Sequence, residues 1–214
     1  MTLVDVPDDT RELVARTRIY KGRVFDFVRD EVRLAPGDAE PVVREYLDHP
    51  GAVAVVALRG EPGAEQVALV SQYRHPVRAV LWEIPAGLRD HEGEKPALTA
   101  SRELREETDF EAARWDVLVD IVNSPGCSSE GLRIYLAREV SQCAMTFARA
   151  EEEREMELRW VALEEAVAAV HAGRVHNSTA CIGILAAASA RAAGWSTLRD
   201  VDAPWDITGR LDGA

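Results

Sequence analysis

Two apolar stretches stand near the middle of the chain, AVAVVAL at 52–58 and QVALVSQYR at 66–74. Both are rich in valine, a residue that favours strands, and the RGEPGAE between them carries the glycine and proline of a turn. The pattern therefore predicts two strands joined as a hairpin. Four later segments also have the character of strands, namely 80–87, 115–126, 132–140 and 159–163. The first of them is a short strand ended by Pro85 and Gly87.

The N-terminal region predicts a separate small β unit. Residues 12–34 have the pattern of two strands around a lysine-glycine turn, and 41–47 are typical of a third strand. The tripeptide HPG then interrupts the chain. We therefore expect an N-terminal β domain over 1–46 and a second domain over 47–195. The remaining residues, 196–214, carry little pattern and are expected to form a C-terminal tail.

Three segments have the period of a helix. Pro96 suits a first helical turn, and Ser101 and Leu104 follow it at helical spacing. Residues 163–175 and 177–195 predict two more helices. Strands and helices do not alternate regularly, and the sequence has neither a GxGxxG motif nor a P-loop. We therefore expect an α+β fold with a mixed sheet rather than a doubly wound fold.

The chain is acidic, with 37 aspartates and glutamates against 25 lysines and arginines and a net charge of −12. This excess argues against broad contact with nucleic acid or with an anionic membrane surface. It is compatible with a phosphate-bearing substrate, because a bound divalent cation reverses the local sign of charge.

Cysteine usage and hydropathy indicate the compartment. The three cysteines form no CxxC pair, which favours buried thiols in a reducing compartment over a thiolate zinc site. The N-terminal residues lack the basic segment and apolar run of a signal peptide. The apolar stretch at 180–190 is too short to span a bilayer. We therefore expect a cytoplasmic protein.

The clearest chemistry lies in GEKPALTASRELREETDF, residues 93–110. On a helix, which turns by about 100° per residue, Glu103, Glu106 and Glu107 share one face. Carboxylates on one face repel each other, whereas hard divalent cations bind such oxygens. The alternative is a solvated face whose carboxylates pair with neighbouring arginines. On spacing alone the solvated face is the more common outcome.

The same segment resembles the Nudix box, GX5EX7REUXEEXGU, in which U is an aliphatic residue. Its matching core residues are Arg102, Glu103, Leu104, Glu106 and Glu107. Glu94 precedes Arg102 at the required interval. Two positions depart from the motif, since six residues instead of five separate Gly87 from Glu94 and Asp109 replaces the closing glycine. Aspartate tolerates the left-handed conformation better than most residues, so we expect the turn to form.

The resemblance extends beyond the box, from about Arg16 to Gly194, to the ADP-ribose pyrophosphatases of the Nudix superfamily. QYRHPV at 72–77, WEIPAGL at 82–88 and Pro125 are similar to landmarks of that subfamily. The resemblance implies a Nudix α/β/α sandwich with a mixed sheet, preceded by the small N-terminal β domain. It also implies a homodimer in which the N-terminal domains exchange and complete the partner's site.

The implied activity is hydrolysis of a nucleoside diphosphate, with ADP-ribose yielding AMP and ribose 5-phosphate. Mg²⁺, or Mn²⁺, is expected on Glu103, Glu106 and Glu107, with the backbone carbonyl of Ala86 as a further ligand. Such ions neutralise phosphate oxygens and lower the pKa of an attacking water. Arg102 is expected to orient the glutamates by ion pairing.

Catalysis also needs a base that takes a proton from the attacking water. The resemblance places it in the acidic segment AEEEREMEL, residues 150–158. Alignment of the following strand favours Glu152, with Glu153 as its neighbour. A solvated acidic loop fits the composition equally well.

Three side chains are expected to bind the substrate. Arg74 is a candidate for the diphosphate, because guanidinium suits a bidentate contact, and a surface salt bridge is its alternative. Arg44 is similar to a family arginine that reaches the nucleotide, and Glu130 is placed to meet the terminal ribose hydroxyls. An aromatic ring, Tyr20 or Phe25, either stacks on the base or belongs to the core.

Three other functions compete with this one. A pyrophosphatase for another nucleoside diphosphate sugar shares the box and the metals. A Nudix-fold sensor binds ADP-ribose-like ligands without cleaving them, but such relatives usually carry a DNA-binding extension, and we find neither a helix-turn-helix nor a basic patch. A plain interaction domain has only a solvated glutamate helix and predicts that Glu103→Gln changes nothing.

Overall fold

A computed structural model of the protein describes residues 3–147 and 156–208. The chain forms two compact units. The first comprises the described parts of 1–52, 121–132 and 204–214, and the second comprises those of 53–120 and 133–203. The domain boundaries expected after residues 46 and 195 stay a prediction.

The first unit contains a three-stranded antiparallel sheet in the order β1-β2-β3. The strands are β1 (Glu12–Tyr20), β2 (Asp26–Arg33) and β3 (Val42–Asp48). They confirm the small N-terminal β unit. The first connection needs a glycine, because a Cβ on Gly22 would lie 2.0 Å from the carbonyl oxygen of Phe25.

Seven further strands form the second sheet. They are β4 (Ala52–Arg59), β5 (Gln66–Arg74), β6 (Ala79–Glu83), β7 (Ala86–Leu88), β8 (Phe110–Val122), β9 (Gly131–Gln142) and β10 (Glu157–Ala162). The order is β10-β5-β4-β9-β8, with β6 beside β5 and β7 beside β4. The hairpin predicted from the two apolar stretches is confirmed, since β4 and β5 are antiparallel with Leu58 opposite Val67.

The strand predicted over 80–87 ends before Pro85, as the proline indicated, and a second short strand that was not predicted, β7, follows it. β6 pairs with β5, whereas β7 pairs with β4. Pro85 lies at the break and has no N–H with which to continue a ladder. Its carbonyl oxygen instead accepts the N–H of Val55 at 2.8 Å. The break moves Ala86 and Gly87 beside a different strand.

Three α-helices complete the described part of the chain, α1 (Pro96–Thr108), α2 (Leu163–His171) and α3 (Ser178–Ala192). Asn177 caps α3, since its Oδ1 accepts the N–H of Ala180 at 2.9 Å. α2 ends before the predicted residue 175, and Gly173 follows it with a left-handed φ of 64°. No helix among residues 3–147 and 156–208 is long and apolar enough to cross a membrane.

Helices cover both faces of β4. One face belongs to a buried cluster that includes Val53, Val55, Ala57, Ala100 and Leu104. The opposite face meets α3, where a Cβ on Gly183 would lie 2.9 Å from a methyl of Val56. Since alternate side chains of a strand point to opposite faces, both sets of positions are buried. This arrangement is the expected α/β/α sandwich, and it explains why residues 52–58 of β4 are all apolar.

Leu104→Ala is expected to lower the free energy of unfolding by about 2–5 kcal/mol, because it leaves a cavity in the core. Leu104 is 0% exposed, whereas Leu98 on the same helix is 59% exposed. Leu98→Ala is therefore the matched control, with an expected change within about 0.5 kcal/mol. Urea denaturation measures both variants, and equal losses would contradict the assignment of the inner face of α1.

The residues after α3 return to the second sheet. Arg199 pairs with Val117 on β8 through two backbone hydrogen bonds of 2.9 and 3.1 Å. Buried Arg133 donates two hydrogen bonds to Asp120 and a third to the carbonyl oxygen of Ala203, at 2.8 Å. Residues 199–203 are thereby attached to the second unit.

All three cysteines are free thiols. Cys143 and Cys181 are half-buried, and burial raises the pKa of both thiols. The expectation of buried thiols is wrong for Cys127, which is exposed in the connection between β8 and β9.

Candidate active site

Strand β7 and helix α1 bring three of the expected site residues, Ala86, Glu103 and Glu107, together with Gly87 in the second unit. The carboxylate of Glu107 accepts the backbone N–H of Ala86 at 3.2 Å. The carboxylate of Glu103 packs against Gly87, where an added Cβ would lie 2.1 Å from it. Only glycine at position 87 therefore allows Glu103 to approach the backbone this closely. The helical spacing of 103 and 107 directs both carboxylates at one backbone turn.

Arg102 lies among the neighbouring carboxylates of the box. Its Nη1 donates to Glu103 at 2.7 Å and to Glu106 at 3.1 Å. Its Nη2 and Nε face the two oxygens of Glu94 at 3.4 and 3.5 Å. One guanidinium therefore binds three carboxylates and holds them near each other.

The charge state of this network follows from two opposing effects. Burial raises the pKa of Glu94, but hydrogen bonds from Arg102 and Thr99 outweigh it and bring that pKa below its usual value. Burial lowers the pKa of Arg102, but its carboxylate partners outweigh this and raise that pKa overall. Both groups are therefore charged at neutral pH, and the ion pair between them weakens only as acid protonates Glu94.

A divalent cation requires several oxygen ligands that converge on one point. Among residues 3–147 and 156–208, no three His, Cys, Asp or Glu side chains are grouped to hold a metal ion. Three carboxylates converge on Arg102 instead. The available donors are nevertheless carboxylate and carbonyl oxygens, which hard cations prefer, and Glu103 and Glu107 share one backbone turn. The donor atoms are therefore of the type that a divalent cation binds. Which residues are its ligands stays a prediction.

The two departures from the Nudix box are both accommodated. The extra residue falls in a loop in which the N–H of Glu94 bonds the carbonyl oxygen of His91 at 3.2 Å. Asp109 ends α1 with a left-handed φ of 61°, and its N–H bonds the carbonyl oxygen of Arg105 at 2.9 Å. The expected turn therefore forms, at a cost of roughly 1–2 kcal/mol relative to glycine.

Arg74 is paired with a buried acid. Its Nε and Nη2 donate to the two carboxylate oxygens of Glu83 at 2.9 and 2.7 Å, across strands β5 and β6. The guanidinium is partly exposed, but Glu83 is buried, so this contact differs from an ordinary surface salt bridge. Sequence reasoning missed Glu83, because nothing in the sequence distinguishes it from the other acidic residues. The role of Arg74 stays a prediction.

The other two expected substrate residues lie in the first unit. Arg44 on β3 is exposed, and its Nη1 donates to the carbonyl oxygen of Val43 at 2.8 Å. Glu130 is half-buried and directly precedes β9. The loop before it is tied to β3, because Leu47 exchanges backbone hydrogen bonds of 3.0 Å with Cys127 and Ser129. The binding roles of Arg44 and Glu130 stay predictions.

The two candidate aromatic residues are not part of a core. Tyr20 is 68% exposed and Phe25 is 41% exposed. Both line an open cavity of about 290 Å³ in the first unit, together with Phe27 and Leu47. Phe25 also stacks on the imidazole of His49 at 5.8 Å. Neither ring therefore belongs to the core, which was one of the two alternatives predicted for them.

The expected base lies outside the described residues. Glu152 and its neighbour Glu153 belong to residues 148–155, which the structure does not describe. Their assignment stays a prediction from the sequence.

Comparison with known proteins adds independent information. The family model described as the NUDIX domain matches residues 48–179. The chain is 40% identical over 91% of its length to an ADP-ribose pyrophosphatase of Mycobacterium tuberculosis, of which it covers 90%. It is 35% identical to a methanol dehydrogenase activator of Bacillus methanolicus, over 78% of this chain and 86% of that one. It is 34% identical to an ADP-ribose pyrophosphatase of Bacillus subtilis, over 80% and 89%.

A solved structure has a similar fold. The crystal structure of an ADP compounds hydrolase matches 90% of this chain and 99% of its own, with a TM-score of 0.71. The two sequences are 16% identical, so this likeness concerns the fold. It agrees with the α/β/α sandwich and the N-terminal sheet described above.

Proposed function

The chain belongs to the Nudix hydrolase family, and from this membership we propose that it hydrolyses the diphosphate bond of ADP-ribose to AMP and ribose 5-phosphate. The observation that carries the proposal is the approach of Glu103 and Glu107 on α1 to the backbone of Ala86 and Gly87. The relative with 40% identity over 91% of the chain is an ADP-ribose pyrophosphatase, which supports the choice of substrate.

In the proposed mechanism, Glu103, Glu106, Glu107 and the carbonyl oxygen of Ala86 would hold Mg²⁺, or Mn²⁺, which when bound would supply positive charge for the phosphate oxygens and a lowered pKa for an attacking water. Arg102 holds Glu103 and Glu106 in position through hydrogen bonds of 2.7 and 3.1 Å. Gly87 leaves room for the carboxylate of Glu103, and the N–H of Ala86 orients Glu107.

Three other side chains bind the substrate in this proposal. Arg74 donates to the diphosphate, and its bidentate pair with Glu83 holds the guanidinium in one orientation. Arg44 binds the nucleotide, and Glu130 accepts hydrogen bonds from the terminal ribose hydroxyls. Glu152, or failing that Glu153, takes the proton of the attacking water.

A homodimer with exchanged N-terminal domains is part of the same proposal. β1 is exposed along almost its whole length. Large apolar side chains on or beside the first sheet are exposed as well, namely Leu13, Val14, Ile19, Tyr20 and Val43. Exposed strands with apolar residues favour association. Light scattering after gel filtration measures the mass, and a monomer at all concentrations would contradict the dimer. A cytoplasmic location stays a prediction.

The substrate is tested with a panel. The protein is incubated with Mg²⁺ and, separately, with ADP-ribose, GDP-mannose, UDP-glucose, NADH or a dinucleoside polyphosphate, and the products are separated. We expect AMP and ribose 5-phosphate from ADP-ribose at the highest kcat/KM. Faster cleavage of a different nucleotide sugar would identify the alternative pyrophosphatase. Binding of ADP-ribose without cleavage of any compound would identify a sensor.

Gly87→Ala is expected to lower kcat about a hundredfold, because the new methyl group displaces the carboxylate of Glu103. The added Cβ would lie 2.1 Å from that carboxylate, well inside contact distance. Gly126→Ala is the matched control, since no atom lies within 4 Å of a Cβ there. Steady-state kinetics with ADP-ribose measures both variants. Wild-type activity of Gly87→Ala would exclude Glu103 from the catalytic machinery.

A further inference from the structure

A cavity of about 320 Å³ in the second unit lies apart from the candidate active site. It is lined by the end of β4 and the connection to β5, by parts of β8 and β9, and by Trp195 after α3. The N–H of Val55 on β4 bonds the carbonyl oxygen of Pro85, whereas Arg59 lies four residues further along that strand. At about 3.3 Å per residue, this separation is roughly 13 Å. The cavity and the candidate active site share no residue.

Three arginines line this cavity, and two of them stack on tryptophan rings. The guanidinium carbon of Arg59 lies 4.2 Å from the ring centre of Trp160, and Nε of Arg59 donates to Gln66 at 3.1 Å. The guanidinium carbon of Arg138 lies 4.9 Å from the ring centre of Trp195. A cation stacked on an aromatic ring is attracted to its face, which favours one orientation of the guanidinium plane. Both groups are therefore held in place before any ligand binds.

Much of the hydrogen-bonding capacity of these arginines is unused. Nη2 of Arg138 donates to Asp116 at 2.6 Å, but Nε of the exposed Arg114 lies 3.7 Å from the same carboxylate, beyond hydrogen-bond distance. In the part of the chain that the structure describes, no hydrogen bond joins the side chain of Arg114, or the Nη nitrogens of Arg59, to another residue. Two guanidinium groups at the cavity therefore have N–H donors available.

The acids at the cavity do not cancel its positive charge. Glu65 also lines it, but this buried carboxylate accepts a hydrogen bond from Arg191 at 3.0 Å. Asp116 offsets one of the three lining arginines, and the other lining acid is the exposed Glu139. The cavity therefore keeps a net positive charge in a chain whose net charge is −12. Such a local excess attracts anions.

Two residues of the cavity have a strained backbone. Glu139 lies within β9 with a φ of 56°, and Trp195 has a φ of 64°. Residues with bulky side chains rarely adopt this left-handed conformation, and strain of this kind concentrates at functional sites. Leu58 and Val140 add apolar surface to the lining. A few charged groups on an apolar wall are typical of a site for a small molecule.

We propose that this cavity binds the phosphate group of a small organic phosphate through Arg59, Arg114 and Arg138. A guanidinium group stays charged at physiological pH and donates paired N–H groups to phosphate oxygens. Leu58 and Val140 offer contacts to the carbon atoms of the ligand. Since sites for small molecules have volumes of about 300–1,000 Å³, a cavity of about 320 Å³ suits a sugar phosphate or a nucleoside monophosphate. Binding here does not require hydrolysis at α1.

Binding is measured by ¹H–¹⁵N NMR of the full chain during titration with ribose 5-phosphate, AMP or inorganic phosphate. We expect the amide signals of Gly60 and Glu139 and the indole signal of Trp195 to shift and to saturate below about 10 mM organic phosphate. Inorganic phosphate should bind more weakly, because it lacks carbon atoms for the apolar wall. Ribose, which has no phosphate, should leave these signals in place. The amides of Ala86 and Gly87 report binding at the candidate active site separately.

Arg114→Ala is expected to raise the Kd for the organic phosphate at least about tenfold, because it removes a charged hydrogen-bond donor. The side chain of Arg114 is 56% exposed, so its removal leaves the fold intact. Arg59→Ala is expected to raise the Kd in the same way. Arg174→Ala is the matched control, since Arg174 is an exposed arginine of the same unit outside the cavity, and its Kd should change less than about twofold.

Four outcomes would overturn the site. They are unmoved signals at Gly60, Glu139 and Trp195, shifts confined to Ala86 and Gly87, equal shifts with ribose and ribose 5-phosphate, and a Kd that rises as much in the control variant as in the cavity variants. Saturation by AMP alone would support a nucleoside monophosphate, and saturation by ribose 5-phosphate alone a sugar phosphate. Failure to cleave ADP-ribose would contradict the proposed function and leave these titrations unaffected.

Discussion

Glu103→Gln is expected to lower kcat for ADP-ribose by about a thousandfold or more, which corresponds to about 4 kcal/mol of transition-state stabilisation. The amide has nearly the same size as the carboxylate, so it still fits against Gly87, where the contact is closest. Its carbonyl oxygen still accepts from Nη1 of Arg102. The substitution therefore removes the negative charge that would bind a divalent cation and leaves the packing of α1 in place.

The measurement is kcat at increasing Mg²⁺ concentration, together with Mn²⁺ affinity from electron paramagnetic resonance. Glu165→Gln is the matched control, because Glu165 is an exposed acid on α2 in the same unit. We expect wild-type kinetics from the control and a much higher half-saturating Mg²⁺ concentration from Glu103→Gln. Unchanged catalysis in Glu103→Gln would show that the glutamate helix is only a solvated face.

Glu152→Gln is expected to lower kcat by about 10²–10⁴-fold, the usual contribution of a general base. Because the amide cannot accept the proton of the attacking water, the loss should appear in kcat while Mn²⁺ affinity stays at the wild-type value. The pH–rate profile should also lose its acidic limb, since that limb reports protonation of the base.

Glu153→Gln is the control for this prediction, with the same change of charge one position away. If Glu153→Gln loses activity and Glu152→Gln retains it, the base is Glu153. If both variants keep wild-type kcat, the base lies outside the acidic segment to which the resemblance assigns it. A parallel loss of Mn²⁺ affinity would assign Glu152 to cation binding instead.

Much of the fold could be predicted from local patterns. The apolar stretches at 52–58 and 66–74 became β4 and β5 with nearly the predicted bounds, because their buried residues, 52–58 and 67–70, are all apolar. The strand predicted over 80–87 ends before Pro85, as the proline indicated, but the second strand after it was not predicted. A sequence pattern records that these residues are apolar and extended, but it does not show that the chain changes partners between β6 and β7.

The candidate site could also be predicted only in part from the sequence. The approach of Glu103 and Glu107 to a common point follows from helical geometry, and the resemblance to the Nudix box already named Ala86. The buried partner of Arg74 was missed, because the pair joins β5 to β6 through side chains whose orientation no periodicity records. Asp109 appeared in the sequence only as a departure from a motif.

By itself, the sequence determined the strands and helices, the three carboxylates on one face of α1 and the family to which these residues point. All of these depend on neighbours a few positions apart, so a periodicity or a spaced motif contains them. Only the tertiary structure decided that Glu103 packs on Gly87, that Arg74 pairs with buried Glu83 and that Asp109 binds Phe147. Such contacts join side chains to separate segments, and their existence depends on how the strands and α1 pack, which local pattern does not encode.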